Sequence, residues 1–385
     1  RLPCFAMHDA DAIRGEFTLD PGFLTLNHGS YGAAPRAVLA AQQAWRDRME
    51  SQPSRFMVRE LTPALREAAG ALARFLGADA DGLGFVENAT AGCNAVLRSI
   101  AFAPGDEVLV LGHVYGAVRK AAAHIAGLAG AHLVEAPLAF PRPTEAQVLA
   151  ALEAAITPRT RLAVLDHITS PSALVLPIAG MIALCRARGV PVLVDGAHAP
   201  GQVPLDLIAL GPDWYAGNCH KWLMAPKGCA FLWAAPQHRA TTHAHVLSHG
   251  LGAGLAAEFD WTGTRDPSAF LAVTEAIAFH ARLGGPALMV RNRALAMEAG
   301  AMLAARLGTE VGAPPEMAGS MAVVRLPVAG TMQDAPLALR QRLLDAGIDT
   351  PVTALEGALW LRLSAAAYNR AQDYAALAQR LPALL

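Results

Sequence analysis

The stretch Val192-Leu193-Val194-Asp195-Gly196-Ala197-His198 decides how this chain is read. Three branched apolar residues end in a carboxylate, and a glycine follows at once. An apolar run of this length, closed by a turn signal, predicts a strand buried on both faces. Five more such runs lie along the chain, at Leu83–Val86, Val108–Leu111, His132–Val134, Leu162–Leu165 and Ala230–Trp233. Between and around them Thr90–Ala101, Ala117–Gly127, Glu145–Ile156 and Ile178–Arg188 repeat apolar residues at helical spacing. That alternation predicts an α/β fold with a largely parallel sheet covered on both faces. Ligands of such sheets lie at the carboxyl ends of the strands, so Asp195 points toward a crevice. There it suits a metal, a ribose or a protonated ring nitrogen, or it merely caps the next helix.

Working outward, Glu87-Asn88-Ala89-Thr90-Ala91-Gly92 follows the first strand and opens a helix. Small residues there bare backbone N–H groups and Thr90 adds a hydroxyl, which suits an anion. An ordinary Asn or Thr cap explains the same residues. In Asp213-Trp214-Tyr215-Ala216-Gly217-Asn218-Cys219-His220-Lys221-Trp222, a lysine stands between His and Trp with little other charge nearby. Desolvation favours the neutral amine, which can form an imine with an aldehyde. Only two other lysines exist, and both read as bland. Lys120 follows Arg119 on a helical stretch, and Lys227 sits in a turn between Pro226 and Gly228. Lys221 is therefore the candidate nucleophile. Trp261-Thr262-Gly263-Thr264-Arg265-Asp266-Pro267 places Thr264 against a phosphate or forms a simple polar turn.

Composition narrows the function classes. With 385 residues the chain fits two domains, or one large domain with an appendage. A net charge of −1 lacks the electrostatic footprint of a nucleic-acid binder. The longest uncharged stretch, Ile168–Cys185, contains Pro171 and Pro177 and makes a poor membrane span. No basic-then-apolar leader opens the chain, and five scattered cysteines lack zinc-ligand spacing, so a reduced, cytoplasmic protein is expected. His243, His245 and His249 have no Asp or Cys beside them, and no metal is expected. Residues 1–25 read as an N-terminal arm and 26–260 as the large domain. The remainder, 261–385, reads as a smaller α+β domain, with helices at Ser268–Arg282 and Ala287–Arg306 and strands at Met321–Leu326 and Leu359–Leu363.

Asp195-Gly196-Ala197-His198, Gly217–Trp222 and Trp261–Asp266, in that order, resemble the pyridoxal-phosphate enzymes of fold type I and, within them, the class V aminotransferase superfamily. The opening Leu26-Asn27-His28-Gly29-Ser30-Tyr31-Gly32-Ala33-Ala34-Pro35 and the later Asp166-His167-Ile168-Thr169-Ser170-Pro171 are similar to the isopenicillin N epimerase-like branch. The likeness runs from about residue 24 to Asn369. It implies a mostly parallel seven-stranded sheet flanked by helices, a smaller C-terminal domain, and pyridoxal 5'-phosphate as cofactor.

The resemblance also implies roles. Lys221 would hold the cofactor as a Schiff base and later shuttle the α-proton, and Asp195 would keep the ring nitrogen protonated. His198 would contact the phenolic oxygen, with Ser170 also at the cofactor. Ala89, Thr90, Asn218 and His220 would bind the phosphate, and Thr264 would reach it from the partner of a homodimer. Tyr115 would stack on the ring, with His113 as the fallback; plain core packing of Tyr115 is the bland alternative. Arg362 would fork onto the substrate α-carboxylate, which lysine does poorly. Asn27 lies in the arm over that site, and Arg55 binds a second carboxylate or makes an interface ion pair. The substrate is then an amino acid, bound as an external aldimine and attacked at its α-carbon. Epimerisation or racemisation is the leading expectation. Elimination from Cβ by a C–S lyase comes next, then transamination, with a non-catalytic cofactor-binding protein or a metal hydrolase built on Asp195 and His198 outside that class. Persulfide-forming desulfurase chemistry is disfavoured, because no cysteine follows Cys229.

Overall fold

The computed structural model describes residues 10–328 and 335–385; Cys4 and the first nine residues of the expected arm lie outside them. Among the described residues the strands are β1 (Leu24–Thr25), β2 (Leu83–Val86), β3 (Glu107–Leu111), β4 (His132–Ala136), β5 (Thr160–Asp166) and β6 (Val192–Asp195). They continue as β7 (Trp214–Asn218), β8 (Ala230–Ala234), β9 (Met321–Arg325), β10 (Ile348–Asp349), β11 (Val352–Leu355) and β12 (Ala358–Ser364). Seven of them form one sheet in the order β2-β8-β7-β6-β5-β3-β4, in which only β8 runs against its neighbours.

The continuous apolar runs follow from burial on both faces. Along β3, Leu109 and Leu111 enter one core while Val108 and Val110 enter the other. Along β6, Val192 and Val194 face the first core and Leu193 the second. The order β6-β5-β3 puts the carboxyl ends of strands from distant parts of the sequence side by side, with β7 next to β6. That edge positions the site.

Helices close the two faces, and their ends follow local chemistry. Leu61–Leu76 buries Leu61, Leu65, Ala68, Leu72 and Leu76 on one side and stops at Gly77, which takes the left-handed conformation at φ +60°. The helix Ala89–Ser99 is capped by Asn88, whose side chain accepts the Ala91 N–H. Expected as one helix, Ser268–Arg282 is two, Ser268–Leu271 and Val273–Arg282, because the backbone at Ala272 swings to ψ 0°. Residues 269–271 and 273, 276 and 279 pack into the same core as the large sheet.

A three-stranded antiparallel sheet, β11-β12-β9, lies in the C-terminal part, backed by the helices Pro286–Leu307 and Ala371–Arg380. The short β1 pairs in parallel with β10, so the chain just before residue 26 is held to this region. No described helix is long and apolar enough to cross a membrane.

Candidate active site

A cavity of about 370 Å³ opens at the carboxyl ends of the parallel strands. Each strand delivers part of its wall. From the end of β2 come Asn88, Ala89 and Thr90, and after β3 comes Tyr115. Asp166 ends β5, with Ile168 and Ser170 just beyond, and Asp195, Ala197 and His198 follow from β6. The end of β7 supplies Asn218, His220 and Lys221, and Ser30 and Tyr31 arrive from the N-terminal segment.

Lys221 is only 9% exposed, whereas Lys120 and Lys227 are exposed. Its burial, helped by the Arg362 cation and opposed by Asp195, pulls the ammonium down to about 7. Lys221 Nζ lies 3.1 Å from His198 Nε2, while the Trp222 indole N–H donates to His198 Nδ1 at 3.5 Å. Burial, with Lys221 adding to it, holds His198 far below the usual imidazole range, so the ring is neutral. With Nδ1 accepting from Trp222, the ring proton belongs on Nε2, facing the amine. Beneath the lysine, His28 is pushed down to about 4 by burial; it accepts from the Tyr368 hydroxyl and donates to the Lys221 carbonyl, both at 3.0 Å.

Asp195 accepts the Ala197 N–H at 3.0 Å, and burial raises its carboxyl above the usual range. On the opposite wall Asn218 Oδ1 accepts the Ala89 N–H at 2.8 Å, and Asn88 Oδ1 accepts that of Ala91. These bonds fix the start of the helix Ala89–Ser99 with Thr90 on the cavity wall, an anion-type cradle. His220 points Nδ1 at the Cys229 carbonyl at 3.1 Å, and burial lowers it to about 4.

Of the fourteen residues singled out from the sequence, nine line this cavity: Ala89, Thr90, Tyr115, Ser170, Asp195, His198, Asn218, His220 and Lys221. Arg362 stands just behind the wall. It donates to the Ser170 carbonyl at 2.6 Å and hydroxyl at 3.0 Å, and to the Ser30 hydroxyl at 2.8 Å. Asn27 Oδ1 is 3.5 Å from the same guanidinium and its amide donates to Asp349. The buried Arg362 Nε–H has no partner among the described residues, which leaves one guanidinium N–H free to donate to a carboxylate. Burial lowers this group only to about 10, so it stays cationic.

Three residues lie elsewhere. His113 is off the cavity wall, bonded to the Ser172 hydroxyl at 3.0 Å with its ring edge-on to Phe140. Arg55, at the end of the short helix Pro53–Arg55, is exposed and pairs with Glu60 at 2.9 Å, and Thr264 is exposed and outside this chain's own cavity. Among the described residues no group of three metal-type side chains occurs; His243 bonds Glu258 instead. The wall also carries residues that the sequence reading did not select, chiefly Asp166 and Ser30. The matching strand-end positions of Asp166 and Asp195 were the available signal, but it requires the strand register.

The aminotransferase class-V family model matches residues 32–376. A putative L-cysteine desulfhydrase of Oryza sativa subsp. japonica is 36% identical, with 95% of this chain and 84% of the relative covered. An isopenicillin N epimerase of Streptomyces clavuligerus is 34% identical over 98% of this chain and 99% of its own. The solved complex of the cystine C–S lyase C-DES with its product cysteine persulfide shares the fold, at TM-score 0.79 and 22% identity, over 94% of this chain and 97% of that one.

Proposed function

The chain belongs to the aminotransferase class-V family, and from that premise we propose that it is a pyridoxal-phosphate-dependent C–S lyase acting on cysteine or a small cysteine derivative. The observation that carries this reading is one buried amine, Lys221, on the wall of a small cavity that no described cysteine thiol lines. Cys93, Cys185, Cys219 and Cys229 are all buried elsewhere, so none can receive sulfur from a substrate there. The volume, about 370 Å³, lies at the low end for ligand sites and suits a cofactor with a small amino acid.

The residues present fit pyridoxal phosphate: a desolvated amine, a buried carboxylate and a helix N-terminus occupy three walls of one cavity. Lys221 would attach it, Asp195 would hold a proton on its ring nitrogen, and His198 would face its phenolic oxygen. Thr90, Asn218 and His220, with the Ala89 turn, would hold its phosphate, and Tyr115 would cover its ring. Bound there, the cofactor supplies an electron sink that makes a substrate α-hydrogen acidic. Arg362, through its free Nε–H, would bind the substrate carboxylate and turn the Cα–H bond toward Lys221. Lys221 would take that proton; the released electron pair becomes the Cα=Cβ bond as sulfur leaves Cβ with its own bonding pair. With water the balance is cysteine to pyruvate, hydrogen sulfide and ammonia. One base suffices, whereas epimerisation needs a second acid on the opposite face. Thr264, exposed and not among the lining residues of its own cavity, would complete the site of a second copy, making the working unit a homodimer.

Proton NMR in D₂O with L-cysteine and cysteine conjugates tests the reaction. Pyruvate is expected in an amount equal to the sulfide released from L-cysteine or the thiol released from a conjugate. Loss of the α-proton signal with an intact skeleton and a growing opposite enantiomer would replace the lyase with an epimerase. Lys221→Ala should lose the borohydride-reducible yellow colour, and keeping it would remove Lys221 as the attachment point. Full activity in a sedimenting monomer would contradict the shared site.

A further inference from the structure

One cavity residue has no part in the reaction above. Asp166 ends β5, is 3% exposed, and is the Cα partner of Asp195 at the end of β6. Residues in register on neighbouring parallel strands point to the same face, and both carboxyl groups line the cavity, so they stand side by side. The backbone N–H groups of Tyr115 and of Asp166 itself lie near the Asp166 carboxyl and favour its charged form, against the stronger effect of burial. Tyr115 is the residue from which the helix Gly116–Leu128 starts, and its side chain caps nothing. Asp166 therefore stands near the turn that carries the exposed Tyr115 ring and beside the buried carboxylate of the next strand.

Around this pair stand the Lys221 amine, which faces Asp195, and the Cys93 thiol and Tyr215 hydroxyl, both held neutral by burial with Asp195 adding to it. Two carboxylates in one dry site do not both ionise readily, and burial with Asp195 alongside pushes Asp166 well above the carboxylate range. A neutral carboxylic acid has one O–H to give and a carbonyl oxygen to accept with.

We propose that Asp166 is a positioning residue of the cofactor site, a neutral acid that donates to Asp195 and accepts the Tyr115 amide, so tying the carboxylate on β6 to the ring-bearing turn after β3. The inference rests on the cofactor reading above. An asparagine can do the same two jobs, because its N–H replaces the acid's O–H and its carbonyl is kept. An alanine can do neither.

The test titrates pyridoxal phosphate into apoprotein and reads the dissociation constant from the bound cofactor's absorbance. Wild type, Asp166→Asn, Asp166→Ala, Tyr115→Ala and the double variant Asp166→Ala with Tyr115→Ala are compared. Asp166→Asn should stay within about threefold of wild type, and Asp166→Ala should weaken binding by about ten- to hundredfold. In the Tyr115→Ala background the Asp166→Ala loss should shrink several-fold, since part of the effect runs through that turn. Asp166→Asn falling as far as Asp166→Ala would overturn the proposal, as would wild-type affinity in Asp166→Ala or full additivity with Tyr115→Ala. If Asp166→Ala does not fold, Asp166→Asn decides alone: retained affinity supports the neutral bridge and lost affinity ends it. Wild type that takes up no cofactor at all would overturn the cofactor reading itself, a separate and recognisable result.

Discussion

Lys221 shows what the site costs at the scale of one residue. An unfolded lysine titrates near 10.5, and burial holds this one down to about 7 in the fold. Between those values the unfolded chain binds the proton and the folded chain does not. Stability from this group therefore rises with pH across that window, and the penalty is fully present below about 7. Apo Lys221→Met should be more stable than apo wild type at pH 7 by about 1–2 kcal/mol, the scale commonly gained by relieving a functional strain. Urea melts at pH 7 and pH 9.5 check this; the gap should narrow at the higher pH, and a constant gap contradicts the neutral amine. Arg362 makes a different demand. Its two amino groups already bond Ser170 and Ser30, and only a guanidinium keeps those bonds with Nε–H to spare. Arg362→Lys is expected to raise KM for the amino acid at least about tenfold while cofactor affinity changes little. Equal losses in both measurements would place the arginine in the cofactor's support instead.

At the scale of elements, the segment Asn27–Gly32 is pinned to the Lys221 loop by backbone as well as side chains. Gly32 sits at φ +69°, and a Cβ there would lie 1.9 Å from the His220 carbonyl oxygen. Gly32→Ala should therefore displace either segment, costing about 2–3 kcal/mol and cofactor affinity together. Thermal melts with and without pyridoxal phosphate check it, and loss of stability with unchanged affinity would mean that the strain relaxes away from the lysine. The same elements explain what could be read without coordinates. Strands buried on both faces announce themselves as apolar runs, so β2, β3, β6 and β8 were legible nearly to the residue. The strand β7 was not, since it ends in Gly217 and Asn218, whose burial depends on the Phe231 ring and the Ala89 amide across the sheet. The pairs β1 and β10 are two residues each and carry no period at all. In the site, Asp195 and Lys221 stand out by residue type in an apolar setting. Asp166 has the same chemistry but is recognisable only once β5 and β6 are in register.

Across the whole molecule, the start of the chain serves the end of it. Leu24 and Thr25 pair with Ile348 and Asp349, the Leu26 N–H donates to the Asp349 carbonyl, and the Leu26 carbonyl accepts from the Ser364 N–H. Leu26 itself is fully buried in a cluster with Val324, Ile348, Leu361 and Leu363, the apolar face of the sheet that carries Arg362. The residues that follow, Asn27 through Ser30, then reach the guanidinium and the Lys221 carbonyl. Binding of a carboxylate at Arg362 and the setting of the lysine thus depend on one short segment anchored in the C-terminal sheet. Leu26→Ala removes that anchor and should cost about 3 kcal/mol, as for other buried leucines. The loss should be uneven. Hydrogen exchange is expected to speed up in β9, β10 and β12, which bury residues in the cluster of Leu26, while β5 and β6, which bury none there, keep their protection. The KM for the amino acid should rise with it, because Arg362 loses its backing from Asn27 and Ser30. Equal acceleration of exchange in both sheets would instead mean that the two cores open as one unit, and the arm would then be a general brace with no particular tie to the carboxylate site.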